Sequence, residues 1–199
     1  MEKAEEIVQW CYRSNIKVLS LYLFSLDNWK RPEDEINNLR SLADNYVTNY
    51  RVFKDNNIKF LISGSVDNLD EEAIEKIHFM QEETKNCNGL ILNICANYNG
   101  HKEIVDAIAK GARTEEEITA HLYQNLPFPD LILRTGGYQR LSGFLTWQSA
   151  YSELAFTHTL FPDLTISELN HIKKQFEQET RNFGGVIVDK RTVCLSTTP

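Results

Sequence analysis

The segment Leu131-Ile132-Leu133-Arg134-Thr135-Gly136-Gly137-Tyr138-Gln139-Arg140-Leu141-Ser142 concentrates the side chains of this protein best suited to chemistry. A short apolar run delivers an arginine, two glycines follow, and a second arginine and a serine come close behind. The apolar run reads as a buried strand and the glycine pair as a sharp turn. Backbone N–H groups, two guanidinium forks and a hydroxyl can then converge on one small anion. A phosphate or diphosphate suits such a cradle, because planar guanidinium groups meet its oxygens two at a time. The same residues also fit a polar loop whose arginines pair with surface carboxylates, and spacing alone does not choose between the two.

Composition narrows the choice. Lys and Arg number 21 against 28 Asp and Glu, a net charge of -7, so the two arginines do not belong to a generally basic surface. Nonspecific nucleic-acid binding, which needs a broad positive footprint, is excluded as an expectation. Cys11, Cys87, Cys95 and Cys194 are scattered without a CxxC pair. They read as reduced thiols of a cytosolic protein, not as a disulfide frame or zinc site. No apolar run approaches a membrane span and no signal peptide opens the chain.

The loop must be held by a scaffold, and the 199 residues suit a single α/β domain spanning residues 1–199. Apolar strand-like runs alternate with helical patterns, as in a mostly parallel sheet flanked by helices. The spacing predicts a helix over Glu2 to Arg13, then a buried strand over Lys17–Phe24. Pro32 opens a helix whose apolar stripe is Ile36, Leu39, Leu42, Ala43, Tyr46 and Val47. Further strands are expected at Ile58–Ile62, Leu90–Ala96 and Leu131–Leu133. Helices are expected from about Asp70 to Thr84, around Ile104–Ala109, after a Thr114/Glu117 capping box, and after a Thr165/Glu168 box to about Arg181. Residues 184–199 form a tail with a weak alternating pattern. Ligands of such sheets gather beyond the carboxyl ends of the strands. Three polar clusters fall there: Ser25–Arg31, Asn97–Gly100 and Arg134–Ser142.

These clusters carry a family resemblance. Leu21-Tyr22-Leu23-Phe24-Ser25-Leu26-Asp27-Asn28-Trp29-Lys30-Arg31-Pro32 resembles a signature block of the cis-prenyltransferases, the family of undecaprenyl diphosphate synthase. Leu92-Asn93-Ile94-Cys95-Ala96-Asn97-Tyr98-Asn99-Gly100 is similar to its central block. The arginine loop with Phe144-Leu145-Thr146-Trp147-Gln148-Ser149-Ala150-Tyr151-Ser152-Glu153-Leu154 resembles two more. The resemblance implies an undecaprenyl diphosphate synthase-like fold. It also implies an enzyme condensing isopentenyl diphosphate with an allylic diphosphate to give a cis-polyprenyl diphosphate, with Mg2+ as cofactor. Carried onto matching positions, Arg134, Arg140, Leu141 and Ser142 would hold isopentenyl diphosphate and Glu153 would ligate the magnesium. Ser25, Leu26, Asp27, Trp29 and Arg31 would line the reacting ends of the substrates beside Asn28, the catalytic amide. A neutral amide is a poor base, so Asn28 is expected to orient a substrate or relay a hydrogen bond. The family further implies a cytoplasmic homodimer, with peripheral membrane contact through its lipid product.

The chain also departs from that pattern. Family members open with a strand and a glycine-rich loop whose aspartate anchors magnesium, and this sequence contains neither. Tyr138 stands where an acidic residue is usual, and Gly143 where asparagine or aspartate is common. The missing loop leaves three expectations open: an incomplete version of an ordinary enzyme, a diphosphate-binding module with no transferase role, or a noncatalytic partner subunit. Such a subunit would bind prenyl diphosphates and be silent unless paired with a full-length homologue.

Overall fold

The computed structural model describes residues 2–30, 50–66, 69 and 71–179. Helix α1 (Glu2–Arg13) is amphipathic: Ala4, Ile7, Val8 and Cys11 are all buried, the i, i+3, i+4, i+7 stripe of a helix lying on a core. Trp10 joins that face and donates its indole N–H to Asn170 Oδ1 at 2.8 Å. Asn15, in the left-handed region at φ 57°, turns the chain into strand β1 (Val18–Tyr22). All five residues of β1 are buried, as expected of a parallel strand covered on both faces.

Helix α2 (Tyr50–Asp55) leads to β2 (Ile58–Ser63), helix α3 (Glu71–Thr84) to β3 (Leu90–Cys95), and helix α4 (Gly100–Ala109) follows. Strands β1, β3 and β2 form one parallel sheet with β3 in the middle. Helix α5 (Glu115–Ala120) starts at a reciprocal capping box between Thr114 and Glu117. Strand β4 (Leu131–Arg134) pairs in parallel with β5 (Glu153–Phe156). Helix α6 (Ile166–Gln178) begins at Thr165, whose hydroxyl accepts from Glu168 N–H. Here the expected box is only half made, because the Glu168 carboxylate instead accepts from the Thr157 hydroxyl at 2.6 Å.

One apolar cluster joins α1, both sheets and α6, running through Ile7, Leu19, Leu92, Leu133, Leu169 and Phe176. A second, smaller one lies beneath the polar loops: Tyr22, Cys95, Tyr98, Ile132, Phe144 and Leu145. The expected α/β architecture with parallel strands is therefore what the described residues form, in two sheets of three and two strands. Three expectations needed correction. Strand β5 was not anticipated, because only four residues alternate there between half-buried and exposed positions. The first strand is shorter at both ends than the apolar run, stopping at Tyr22 where the chain turns toward the site. The last helix ends at Gln178. The helix expected after Pro32, Arg31 beside it, and the tail from Gly184 lie outside the described residues.

Candidate active site

The loops after β1 and β3 leave the same end of one parallel sheet, and a hydrogen bond joins the loop after β4 to them. The loop after β1 is a tight 3-10 turn, Leu26–Lys30. It is tied to the loop after β3 by a Ser25–Tyr98 bridge, by Leu26 N–H donating to the Tyr98 carbonyl at 3.1 Å, and by Tyr98 N–H donating to the Phe24 carbonyl at 3.1 Å. The loop after β4 is tied to the start of α4 by Gly100 N–H donating to the Gly143 carbonyl at 2.8 Å. Only glycine fits at position 100, since a Cβ there would lie 2.4 Å from Thr146 Oγ1 and 2.7 Å from the Gly143 carbonyl. The three polar clusters legible in the sequence are thus bound into one structure.

Within the first loop, Asn28 is fixed by its own turn. Its Oδ1 accepts the Ser25 N–H at 2.7 Å, and its own N–H donates to the Ser25 carbonyl at 2.9 Å. The partner of Oδ1 is an obligatory donor, so the amide has one orientation and its NH2 group is the end left for a ligand. One lone pair of Oδ1 is committed to that donor, and the NH2 hydrogens are turned away from it. Trp29 packs edge-on against Phe24 and donates its indole N–H to Asn97 Oδ1 at 2.6 Å. The Ser25 hydroxyl accepts from Asp27 N–H at 3.2 Å. Asp27 is exposed and pairs with Lys30 at 2.8 Å, and this hydrogen bond holds its carboxyl below the usual aspartate range. Leu26 is half-buried.

In the arginine loop, Arg134 is only 5% exposed, and one nitrogen, Nη1, donates both to the Arg140 carbonyl and to Ser142 Oγ, the latter at 2.7 Å. Its Nε is buried and has no hydrogen-bond partner among the described residues. Burial, and then the nearby Arg140 guanidinium, press its pKa below the ordinary arginine value, although an arginine in a protein keeps its charge. Arg140 is exposed and stacks over the Tyr138 ring at 4.2 Å, with Arg134 at 5.5 Å from the same ring. Where the family usually has a carboxylate stands an aromatic face, and among the described residues neither guanidinium makes an ion pair. Ser142 is held at φ 50°, a strained conformation for a serine and one concentrated at functional sites. Leu141 packs against the smaller apolar cluster and anchors the loop.

The backbone cradle expected at Gly136-Gly137 is not formed. Both glycines adopt the positive φ that the turn demands, at 84° and 81°, but their N–H groups donate to the Thr159 and Thr157 carbonyls at 2.9 and 2.8 Å. They fasten the loop to the chain leaving β5, so these two N–H groups are already committed. Glu153 opens β5 in register with Leu131, three positions before Arg134. At about 3.3 Å per residue its Cα lies roughly 10 Å back along the sheet from the arginine. No hydrogen bond or ion pair joins its side chain to the described residues of the loop. Its carboxylate is half-buried and makes no hydrogen bond or ion pair with the described residues, a situation that a cation would relieve. Among the described residues no group of three or more His, Cys, Asp or Glu could hold a metal. A magnesium there would take one carboxylate from this chain, Glu153, and would need substrate phosphates and water to complete its shell.

A buried polar cluster under the site went unrecognised in the sequence: Tyr98, Glu103 and Gln148, with Tyr123 beside them. A signal existed. Gly100, Glu103 and Ala107 share the buried face of α4, and a charged residue in a buried stripe demands partners. Nearby, Trp147 donates its indole N–H to Thr119 Oγ1 at 3.0 Å, and Glu115, Glu116 and Glu117 form the acidic first turn of α5.

The comparisons agree with this geometry. A family model described as "Putative undecaprenyl diphosphate synthase" matches residues 1–184. An isoprenyl transferase of Fusobacterium nucleatum is 42% identical over 178 residues, covering 86% of this chain and 77% of that protein. The crystal structure of a probable undecaprenyl diphosphate synthase from Campylobacter jejuni superposes with a TM-score of 0.84 at 37% identity, over 92% of this chain and 90% of that one. That of lavandulyl diphosphate synthase from Lavandula x intermedia, in complex with dimethylallyl diphosphate, gives 0.86 at 25% identity, over 92% and 85%. Three loops in register, a parallel α/β scaffold and a sequence match over nearly the whole chain have one reading: this chain belongs to the undecaprenyl diphosphate synthase family of isoprenyl transferases.

Proposed function

We propose that this protein is an isoprenyl transferase that condenses isopentenyl diphosphate with an allylic prenyl diphosphate, adding one cis unit per turnover. The observation that carries the reading is Arg134. Its Nη1 organises the loop through the Arg140 carbonyl and Ser142, while the rest of its guanidinium keeps donors in hand for an anion. Arg134, Arg140 and Ser142 bind the diphosphate of isopentenyl diphosphate, with Leu141 setting their loop. The Asn28 amide donates to a diphosphate oxygen. Ser25, Leu26, Asp27, Trp29 and Arg31 border the allylic end, and Trp29 and Phe24 supply an apolar wall beside the polar turn.

In the reaction the allylic C–O bond breaks and its electron pair leaves with the diphosphate. The isopentenyl double bond attacks the allylic carbon to make the new C–C bond. A proton is then lost from the isopentenyl carbon next to the new cation, with the departing diphosphate as a fitting acceptor. Fixed guanidinium groups stabilise charge gathering on phosphate oxygens without reorganising at the moment of transfer. Mg2+, held by Glu153 and substrate phosphates, would further screen the negative charge of the diphosphates.

The same reading makes the protein a cytoplasmic homodimer touching membranes through its lipid product. Tyr151, Leu154, Phe156 and Leu160 are 68%, 46%, 37% and 59% exposed around β5, an apolar surface that suits a second copy. Among the described residues no helix is long and apolar enough to cross a membrane.

The test is incorporation of radiolabelled isopentenyl diphosphate into a butanol-extractable product. It is run on the folded chain with magnesium and an allylic diphosphate, alone and mixed with a full-length relative. Label is expected in the product, and Arg134→Met is expected to abolish it. If the folded chain neither binds isopentenyl diphosphate in calorimetry nor incorporates it under either condition, the proposal fails.

A further inference from the structure

One buried carboxylate ties the loops of the site together from below. Glu103 is 1% exposed on α4 and is met by three donors. Its Oε2 accepts from the Tyr98 hydroxyl at 2.6 Å and from Gln148 Nε2 at 3.0 Å, and its Oε1 accepts from Tyr123 N–H at 2.9 Å. All three partners are neutral, so the site requires an acceptor-only group more than it requires charge pairing. The Gln148 amide reveals how strong the requirement is. Its own Oε1 is buried without a partner, and turning the amide over to relieve that oxygen would set it against the Glu103 carboxylate.

Each arm of this cluster ends at a different substrate loop. Tyr98 is 0% exposed, and its carbonyl accepts from Leu26 N–H at 3.1 Å and from the Tyr22 hydroxyl at 3.2 Å, so its position sets that of the Asn28 turn. On the other side Gln148 and Phe144 follow the arginine loop directly. The Phe144 ring stacks on Tyr22 with centroids 5.0 Å apart and meets Tyr98 edge-on at 6.3 Å. We infer that Glu103 is a positioning residue for the transfer reaction: through Tyr98 and Gln148 it fixes the spacing between the Asn28 turn and the Arg134–Ser142 loop, and hence the alignment of the two substrates. This rests on the transferase reading above. Neither loop's own donors belong to the cluster, so each substrate is still gripped when the cluster is disturbed. What changes is the distance between the reacting carbons.

The predicted signature is a split between kcat and KM. Tyr98→Phe deletes only the hydroxyl that reaches Glu103, and Glu103→Gln replaces one acceptor oxygen with an NH2 that meets at least one donor whichever way the amide turns. Assayed well below its melting temperature, each variant should lose about tenfold or more in kcat, the scale of a sub-ångström to ångström misalignment. KM for isopentenyl diphosphate should stay within about twofold. Adding Gln148→Glu to Glu103→Gln returns a carboxylate to the cluster and should restore most of kcat. Folded variants with unchanged kcat, a KM defect instead of a kcat defect, or a double variant no better than Glu103→Gln would each overturn the inference. Indole and guanidinium N–H resonances of Trp29 and Arg134 supply a readout independent of turnover. Both should shift together in Tyr98→Phe, and unmoved resonances would refute the coupling. A wild-type chain without turnover whose variants still shift both signals would refute the transferase reading alone.

Discussion

Replacing Arg134 with lysine tests the anion site most directly, because the charge survives and only the fork is lost. In the structure Nη1 is spent on the Arg140 carbonyl and Ser142 Oγ. The rest of the guanidinium is what remains for a diphosphate oxygen. A lysine has a single nitrogen and must choose between holding the loop and gripping the ligand. At least one hydrogen bond to a charged group is forfeited, worth about 1.5–3 kcal/mol. That corresponds to roughly 10- to 150-fold weaker binding of isopentenyl diphosphate. Isothermal titration of the diphosphate into wild type and Arg134→Lys measures the difference, and circular dichroism checks that the fold persists. Ser142→Ala in the same experiment should cost less, because the hydroxyl is a neutral group at an exposed position. A folded Arg134→Lys variant that binds within about twofold of wild type would refute the argument that the fork does two jobs.

Three further outcomes are expected. Glu153→Gln should weaken the magnesium stimulation of turnover, read as a higher metal concentration for half-maximal rate, while leaving metal-free binding of isopentenyl diphosphate unchanged; equal metal titrations in the two proteins would remove Glu153 from the site. Burial, and then the Glu103 carboxylate, hold the Tyr98 phenol far above the ordinary tyrosine value of 10.0, and burial raises Tyr22 as well. Their contribution to stability is complete below about pH 10 and is lost as pH rises beyond it, at up to about 1.4 kcal/mol per pH unit for each phenol, because the unfolded chain ionises first. Urea melts of Tyr98→Phe should accordingly fall less steeply above pH 10 than those of wild type, and parallel slopes would contradict the assignment. If the proposed homodimer packs through the exposed face of β5, Leu154→Asp should lower the mass in light scattering without a loss of secondary structure, and an unchanged mass would refute that interface.

The amino-acid order by itself determined which segments alternate between strand and helix and which loops gather polar residues. Buried parallel strands such as β1 and β4 are continuous apolar runs, and a helix such as α1 shows its stripe at 3.6-residue spacing, so both are written in one dimension. The identity of the arginine loop was legible for a similar reason: the residues acting together there lie within nine positions, Arg134 to Ser142. Strand β5 was not legible, because its alternation exists only opposite β4. Nor was the diversion of the Gly136 and Gly137 N–H groups to Thr159 and Thr157, which depends on where the chain returns after β5. The direction of the Asn28 amide, the aromatic face that Tyr138 offers to two arginines, and the convergence on Glu103 of donors from positions 98, 123 and 148 were likewise decided only by tertiary structure. Periodicity records how often a residue type recurs, whereas hydrogen-bond partnership depends on distances between segments far apart in the chain, and those distances exist only once the strands have paired.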